Sequence, residues 1–278
     1  PPLSEQELKG IAESISRYEP DEAERIEIVP FKDELFKLNT LMDMELQQPP
    51  SFLDNFMVKG SLTMIHAPAG VGKTPLAMAM CAAMLGQYNL IGWEAGDQPA
   101  DKVLYMDGEL PKWLLKHRAA SVFNAQAPVY LFSAAEWYTR GGTGLDLQNP
   151  LIQDQMLHLV RSLRPDVLVM DNRSNFYHGK ENENDDAHGL NRFLIQLREL
   201  GTTIIVNHHS GKGGNYRGAS AIIDVMDNVI GLERYDKEGG GNWFSFKFEK
   251  ARFGWPKEPS GVARIHINPA GKMILRTS

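Results

Sequence analysis

The sequence predicts an α/β fold: a mainly parallel sheet flanked by helices, with an antiparallel extension at the C-terminal end. Three features point there. Short apolar runs alternate with longer helix-forming stretches from residue 61 onward. A glycine-containing turn joins the first run to the first helix. After residue 225 the apolar runs come at hairpin spacing. Alternation of this kind implies parallel strands with helices on both faces, whereas closely spaced runs imply antiparallel neighbours.

The elements follow in order. Residues 1–50 are polar and weakly helical, with a helix start at Ser4-Glu5-Gln6-Glu7-Leu8 and helical spacing of apolar residues from Phe31 to Met44. Pro49-Pro50 breaks the chain. We read 1–50 as a linker plus a packing or oligomerisation helix, not a catalytic unit, and 51–278 as one domain. Phe52 to Phe56 leads into a turn at Val58-Lys59-Gly60. Strands are predicted at 61–66, 102–107, 128–132, 166–171 and 202–206. Helices are predicted at 73–86, 111–123, 150–163 and 186–200. Val229–Arg234, Trp243–Lys250, Val262–Asn268 and Met273–Arg276 form the antiparallel set, interrupted by Lys237-Glu238-Gly239-Gly240-Gly241.

The first strand runs into Ala67-Pro68-Ala69-Gly70-Val71-Gly72-Lys73-Thr74. This fits the phosphate-loop pattern G-x-x-x-x-G-K-[ST], with Ala67 in place of the first glycine. Backbone N–H groups of such a loop and the following helix N-terminus form an anion cradle. Ala69, Gly70, Val71, Gly72, Lys73, Thr74 and Pro75 are therefore the candidate nucleotide-binding residues. Lys73 is expected to reach the β/γ-phosphates of ATP, and the Thr74 hydroxyl to bind Mg²⁺. Pro75 falls in the first helical turn, where a missing N–H costs little.

Three other strands end in polar groups, and open α/β sheets bind ligands at the carboxyl ends of their strands. Val167 to Asp171 is the candidate Walker B strand, with Asp171 as a second Mg²⁺ ligand, direct or through water. Val103 to Glu109 carries two acids. Glu109 is our choice to orient the attacking water, with Asp107 as its rival. Thr202 to Ser210 ends in Asn207, His208 and His209, and Asn207 or His208 is a candidate sensor of the γ-phosphate. Zinc chelation by the paired histidines is disfavoured, because no Cys or third His is placed nearby. Two polar loops follow, Arg173 to Asp186 with Lys180, and Gly211 to Gly218. Lys212, Tyr216 and Arg217 in the second suit contact to phosphate and base, and Lys180, Lys212 and Tyr216 are the candidate DNA-binding residues.

Bulk properties bound the function. The 278 residues are 42% hydrophobic, enough for one large α/β domain with appendages. A net charge of −6 argues against a basic coat but allows a channel of local cations. The single cysteine, Cys81, excludes a disulfide framework and fits a reducing compartment. No apolar run reaches the ~18 residues of a membrane helix, and no signal peptide is expected. We expect a soluble cytoplasmic protein, not a membrane one. The chain begins at Pro1 without Met, so we expect a piece of a longer polypeptide or a trimmed one.

Taken together, the sequence resembles the RecA-like P-loop ATPases over roughly 52–255. Within them it is similar to the RepA-type replicative helicases and, more distantly, the DnaB-type. His208-His209-Ser210-Gly211-Lys212-Gly213, then Arg217-Gly218-Ala219-Ser220, resemble RepA-type segments. Phe248 to Gly254 resembles the Lys-x-Arg element of DnaB-type subunits. The resemblance implies a bacterial, phage or plasmid helicase that moves on single-stranded DNA in replication. It implies a hexameric homo-oligomer with ATP at subunit interfaces, sometimes with a fused or associated primase or polymerase module. Arg217 would be the arginine finger, with Lys250 and Arg252 the competing trans-acting pair. Both polar loops would face the channel. A RecA-like ATPase of recombination, helicase loading or regulation is the alternative.

Overall fold

The computed structural model describes residues 32, 35–142, 144–178, 184–210, 220–236, 242–267 and 273–277. The chain divides into two units, Pro1–Gln47 and Gln48–Ser278. In the first, the helical spacing of Phe31 to Met44 yields only a short helix, α1 (Leu38–Met42), without a side-chain cap. Every residue from 35 to 47 is exposed. Five residues are far below the ~12–15 at which an isolated helix becomes even marginal, so propensity alone cannot lengthen it.

The second unit opens with a small hairpin, β1 (Ser51–Leu53) and β2 (Met57–Val58), where the sequence suggested only a turn. Nine further strands form one sheet. They are β3 (Leu62–Ala67), β4 (Val103–Asp107), β5 (Val129–Ser133), β6 (Val167–Asp171), β7 (Thr203–His209), β8 (Asn228–Arg234), β9 (Asn242–Ala251), β10 (Ser260–Ile267) and β11 (Met273–Thr277). Their order is β11-β10-β9-β8-β3-β7-β6-β4-β5. Strands β5 to β8 in that order are parallel, and β8 to β11 antiparallel, as predicted. Four of the five predicted parallel-strand positions are off by a residue or so. The fifth, β7, runs to His209 rather than 206. Ile65, His66 and Ala67 of β3 give Asn207, His208 and His209 ladder partners, so these residues belong to the sheet rather than to a loop.

The predicted helices are α2 (Lys73–Met84), α3 (Lys112–Val122), α5 (Pro150–Leu163) and α7 (Asn184–Glu199). Short helices α4 (Ala134–Thr139), α6 (Arg173–Phe176) and α8 (Ser220–Val225) were not foreseen, being too brief to show a period. The Ser133 hydroxyl caps α4 by accepting from the Glu136 N–H at 3.3 Å. Asn149 caps α5 at Leu151, with Pro150 just inside.

Strand pleat sorts the core into two halves. Ile65 and Ala67, Val103 and Tyr105, Val167 and Val169, and Ile205 pack with α2 and α3. Leu62 and Met64, Leu104 and Met106, Leu168 and Met170, and Ile204 and Val206 pack with α5 and α7. Strands β3, β4 and β6 are buried along their whole length, which explains their nearly continuous apolar composition. Helix α2 is buried from Leu76 to Met84 and is apolar on every side. Cys81 lies within it, and burial pushes its thiol up out of the reactive range.

Aromatic contacts tie the antiparallel strands to the β1–β2 hairpin and to the loop after α2. Phe56 meets Trp93 and Phe248 edge-on, with centroids 5.2 and 4.8 Å apart, and Trp93 meets Phe246 at 5.5 Å. The Trp93 indole N–H donates to the Glu258 carbonyl at 2.9 Å. Truncating one of these rings leaves a cavity the neighbours cannot close. Phe248→Ala should therefore lower unfolding free energy by ~3–5 kcal/mol, measured by urea denaturation.

Candidate active site

Helix α2 begins directly after the loop, with Gly72 as its N-cap residue. Gly70 and Gly72 have φ of +76° and +137°, values that side-chain-bearing residues rarely adopt. A Cβ on Gly72 would also meet Ile265 at 3.2 Å and Phe244 at 3.3 Å. Ala67, by contrast, is the extended last residue of β3, paired with His209, and needs no glycine freedom. The loop opens into a cavity of about 630 Å³. Ala69, Gly70, Gly72, Lys73, Thr74 and Pro75 line one wall, and Glu109, Asp171, Asn172 and His209 another. Helix α3 adds His117, Arg118 and Ser121, while Asn242 and Ile265 come from the antiparallel strands.

Lys73 is 6% exposed, and its ammonium donates to the Ala67 carbonyl at 2.8 Å and the Pro68 carbonyl at 3.1 Å. It also lies 3.0 Å from His209 Nδ1. Burial lowers the amine to about 8, against the opposing pull of Asp171 and Glu109. His209 Nε2 is 3.5 Å from the Glu109 carboxylate and 2.8 Å from Asn172 Nδ2. The Asn172 amide donates in turn to Glu109. A continuous polar chain thus runs Lys73–His209–Asn172–Glu109.

The two acids on β4 part ways. Asp107 is 2% exposed and accepts the backbone N–H groups of Glu109 at 2.9 Å and Leu110 at 2.6 Å. Its pKa is raised, chiefly by desolvation. It shapes the turn that carries Glu109 into the cavity, which Asp107 itself does not line. Asp171 is paired in register with Asp107 and accepts from the Tyr105 hydroxyl at 2.6 Å. The phosphate loop fits a polyphosphate by its two positive-φ glycines and its buried lysine. Thr74 and Asp171 are the groups facing the cavity that are available to a divalent cation.

His208 requires a correction. It pairs in register with His66, and the pleat turns it to the face opposite His209. Burial, then nearby Arg173 and His66, push it down to about 3, so it is neutral there. His209 occupies the cavity instead. The sequence reading also missed Asn172, Tyr105, His117 and Arg118. Spacing on α3 groups 117, 118 and 121 on one face, but nothing in the sequence says what that face meets.

Lys250 and Arg252 lie outside the cavity. Strand β9 runs antiparallel to β8, so both sit beside the amino ends of the parallel strands. Lys250 Nζ donates to the Ile223 and Asp224 carbonyls at 3.0 and 3.2 Å, closing the end of α8. Arg252 pairs with Asp227 at 2.8 Å, whose carboxylate is 2% exposed and also accepts the Leu62 N–H. Both cations are thus engaged within their own chain. Lys180, Lys212, Tyr216 and Arg217 lie outside the described residues.

Two outcomes follow. Phosphate contact favours charged Lys73, so binding takes up a proton wherever the free amine has lost it. ATP affinity should be constant below pH 8 and fall above it, by up to about tenfold per pH unit. Lys73→Arg, which stays charged, should flatten any affinity that survives. Titration with a fluorescent ATP analogue from pH 7 to 9.5 reads this. Removing Arg252 strands a buried carboxylate. Arg252→Ala should destabilise the fold by ~1–3 kcal/mol, less than a fully buried pair because the arginine is half exposed, as read by thermal unfolding.

A fold comparison agrees with this architecture. A KaiC-like protein from the hyperthermophilic archaeon Pyrococcus horikoshii OT3 superposes with a TM-score of 0.54 at 16% identity, covering 79% of this chain and 90% of that one. At that identity the likeness concerns the fold, a RecA-like one. The sequence profile of a family described as AAA domain matches residues 28–215, well over half of the chain. The chain belongs to this AAA domain family, on a RecA-like fold.

Proposed function

We propose that this protein hydrolyses ATP and couples hydrolysis to movement on single-stranded DNA, as a ring-forming helicase of replication. The observation that carries the hydrolytic part is Glu109. A carboxylate facing the phosphate loop, and linked to Lys73 through Asn172 and His209, is what a hydrolase needs and a passive binder does not. Thr74 and Asp171 would hold Mg²⁺, which supplies charge neutralisation on the phosphates. Lys73 would hold the β/γ-phosphates, and Glu109 would orient the attacking water. His209, already in contact with Lys73, is the candidate sensor of the γ-phosphate.

The DNA part rests on the order of motifs and on chain continuity. The stretch with Lys212, Tyr216 and Arg217 starts just beyond His209, and the stretch with Lys180 follows Asn172 by a short helix. A change at the phosphates therefore has a short covalent path to both candidate DNA-binding segments. In a ring, Arg217 would complete a neighbour's site, while Lys250 and Arg252 would first have to leave their present partners.

Lys73→Ala should abolish ATP turnover, because the phosphates lose their main fixed cation. Glu109→Gln should bind ATP yet turn it over at least ~100-fold more slowly, the lower end of what a positioned base contributes. Asp107→Asn should retain measurable turnover, since it keeps an acceptor for the turn. A stalled Asp107→Asn beside an active Glu109→Gln would reverse the assignment. Single-stranded DNA should stimulate ATPase activity, and the protein should displace a strand from a forked duplex. ATPase activity indifferent to DNA, with no strand displacement, would leave a RecA-like ATPase of another purpose.

A further inference from the structure

We propose that Tyr105 is a positioning residue for the divalent cation that accompanies ATP. Its hydroxyl fixes one oxygen of Asp171 so that the other meets the cation or a water bound to it. The inference rests on the proposed ATPase reading, in which Asp171 takes Mg²⁺. Tyr105 lies in the middle of β4, wholly buried, and its ladder partner on β6 is Val169. Asp171 is two residues further along β6 and therefore on the same face. The Tyr105 ring spans that diagonal, and its hydroxyl donates to Asp171 Oδ2 at 2.6 Å. This is the length of a hydroxyl bond to an ionised carboxylate. The Gly108 N–H, from the turn after β4, donates to the Asp171 carbonyl at 2.6 Å. Strand β4 and its turn thus hold both the backbone and the side chain of Asp171. Among the described residues no other hydrogen bond reaches the carboxylate, so Oδ1 is left for a cation in the cavity that Asp171 lines.

Two features set this bond apart from a buried phenol that has merely found an acceptor. Asp171 sits opposite Asp107, in register on one face, where neighbouring carboxylates repel each other. The backbone N–H groups of Glu109 and Leu110 serve Asp107, and the Tyr105 hydroxyl serves Asp171. Each acid thus has its own donors. The donor to Asp171 is also neutral. A lysine or arginine in its place would orient the carboxylate but neutralise it and compete with the cation. A hydroxyl orients it and leaves its charge to the metal, as hydrogen-bonded partners of metal-ligating carboxylates do.

Metal titration tests it. A fluorescent ATP analogue is held at a fixed low concentration while Mg²⁺ is raised. Binding is read for the unchanged protein, Tyr105→Phe, Asp171→Asn and the double variant. Tyr105→Phe keeps the ring that fills the space, and its melting temperature without ligand checks the fold. It should raise the Mg²⁺ concentration for half-maximal binding roughly tenfold, the lower end of what losing such a partner costs. Affinity in EDTA, which depends on Lys73 and the loop, should not change. In the Asp171→Asn background the same substitution should shift the Mg²⁺ requirement little, because the hydroxyl acts through the carboxylate. A Tyr105→Phe protein that only melts earlier, with an unaltered Mg²⁺ requirement, would overturn the proposal and leave the ATPase reading standing. An equal shift in both backgrounds would do the same. Binding by the unchanged protein that ignores Mg²⁺, and that Asp171→Asn does not alter, would overturn it together with the assignment of Asp171.

Discussion

The site depends on the pleat of the parallel strands. Successive side chains on a strand point to opposite faces, so the position of one residue fixes all the others. Ala67 and the phosphate loop lie on the α2 face of the sheet. Register then puts Asp107 and Asp171 on that same face at the level of Ile65 and Asn207, and His209 two residues further along beside Ala67. A slip of one residue in β7 would exchange His209 for His208 and break the link from Lys73 to Glu109. The apolar residues between the strand ends enforce that register. Ile204 and Val206 are committed to the α5 and α7 side, and Ile205 to the α2 side.

Much of this was legible in the sequence. The loop from Ala67 to Thr74 announced both a strand and a helix, and the acid-ended runs located the cavity. The order of elements was readable because every parallel strand is an apolar run bounded by polar residues. What could not be read was parity. Asn207, His208 and His209 are three polar residues in a row, and only the ladder with Ile65 to Ala67 says which of them turns toward Lys73. Asp107 and Glu109 share a strand end, and choosing between them needed the two backbone N–H groups that hold Asp107 in place. Arg252 was expected to act in trans, and its pairing with Asp227 showed only in the folded chain. The helical spacing of Phe31 to Met44 was overread, since spacing without burial does not sustain a helix.

The antiparallel strands do more than widen the sheet. Phe244 and Ile265 lie within van der Waals reach of any side chain placed at Gly72, so β9 and β10 press on the turn that enters α2. The aromatic contacts of Trp93 and Phe248 hold those strands against the core on the same face. The positive φ at Gly72 is therefore supported from both sides, by helix α2 behind and by the extension above. A loop held in this way needs little reorganisation to meet a polyphosphate, which favours binding by preorganisation.

Helix α3 stands between two cavities of about 630 Å³ each. His117, Arg118 and Ser121 face the nucleotide cavity, whereas Leu115, Lys116 and Ala119 face the groove beside β5. These sets lie on different sides of one three-turn helix, so it cannot shift toward one cavity without altering the other. Only a ligand that draws α3 differently in its bound and free states couples the two. Arg118 is the residue through which a polyphosphate would do so, being a cation that lines the nucleotide cavity. The coupling is reciprocal by thermodynamic necessity. If nucleotide tightens the groove for any occupant by some factor, that occupant tightens the cavity for nucleotide by the same factor.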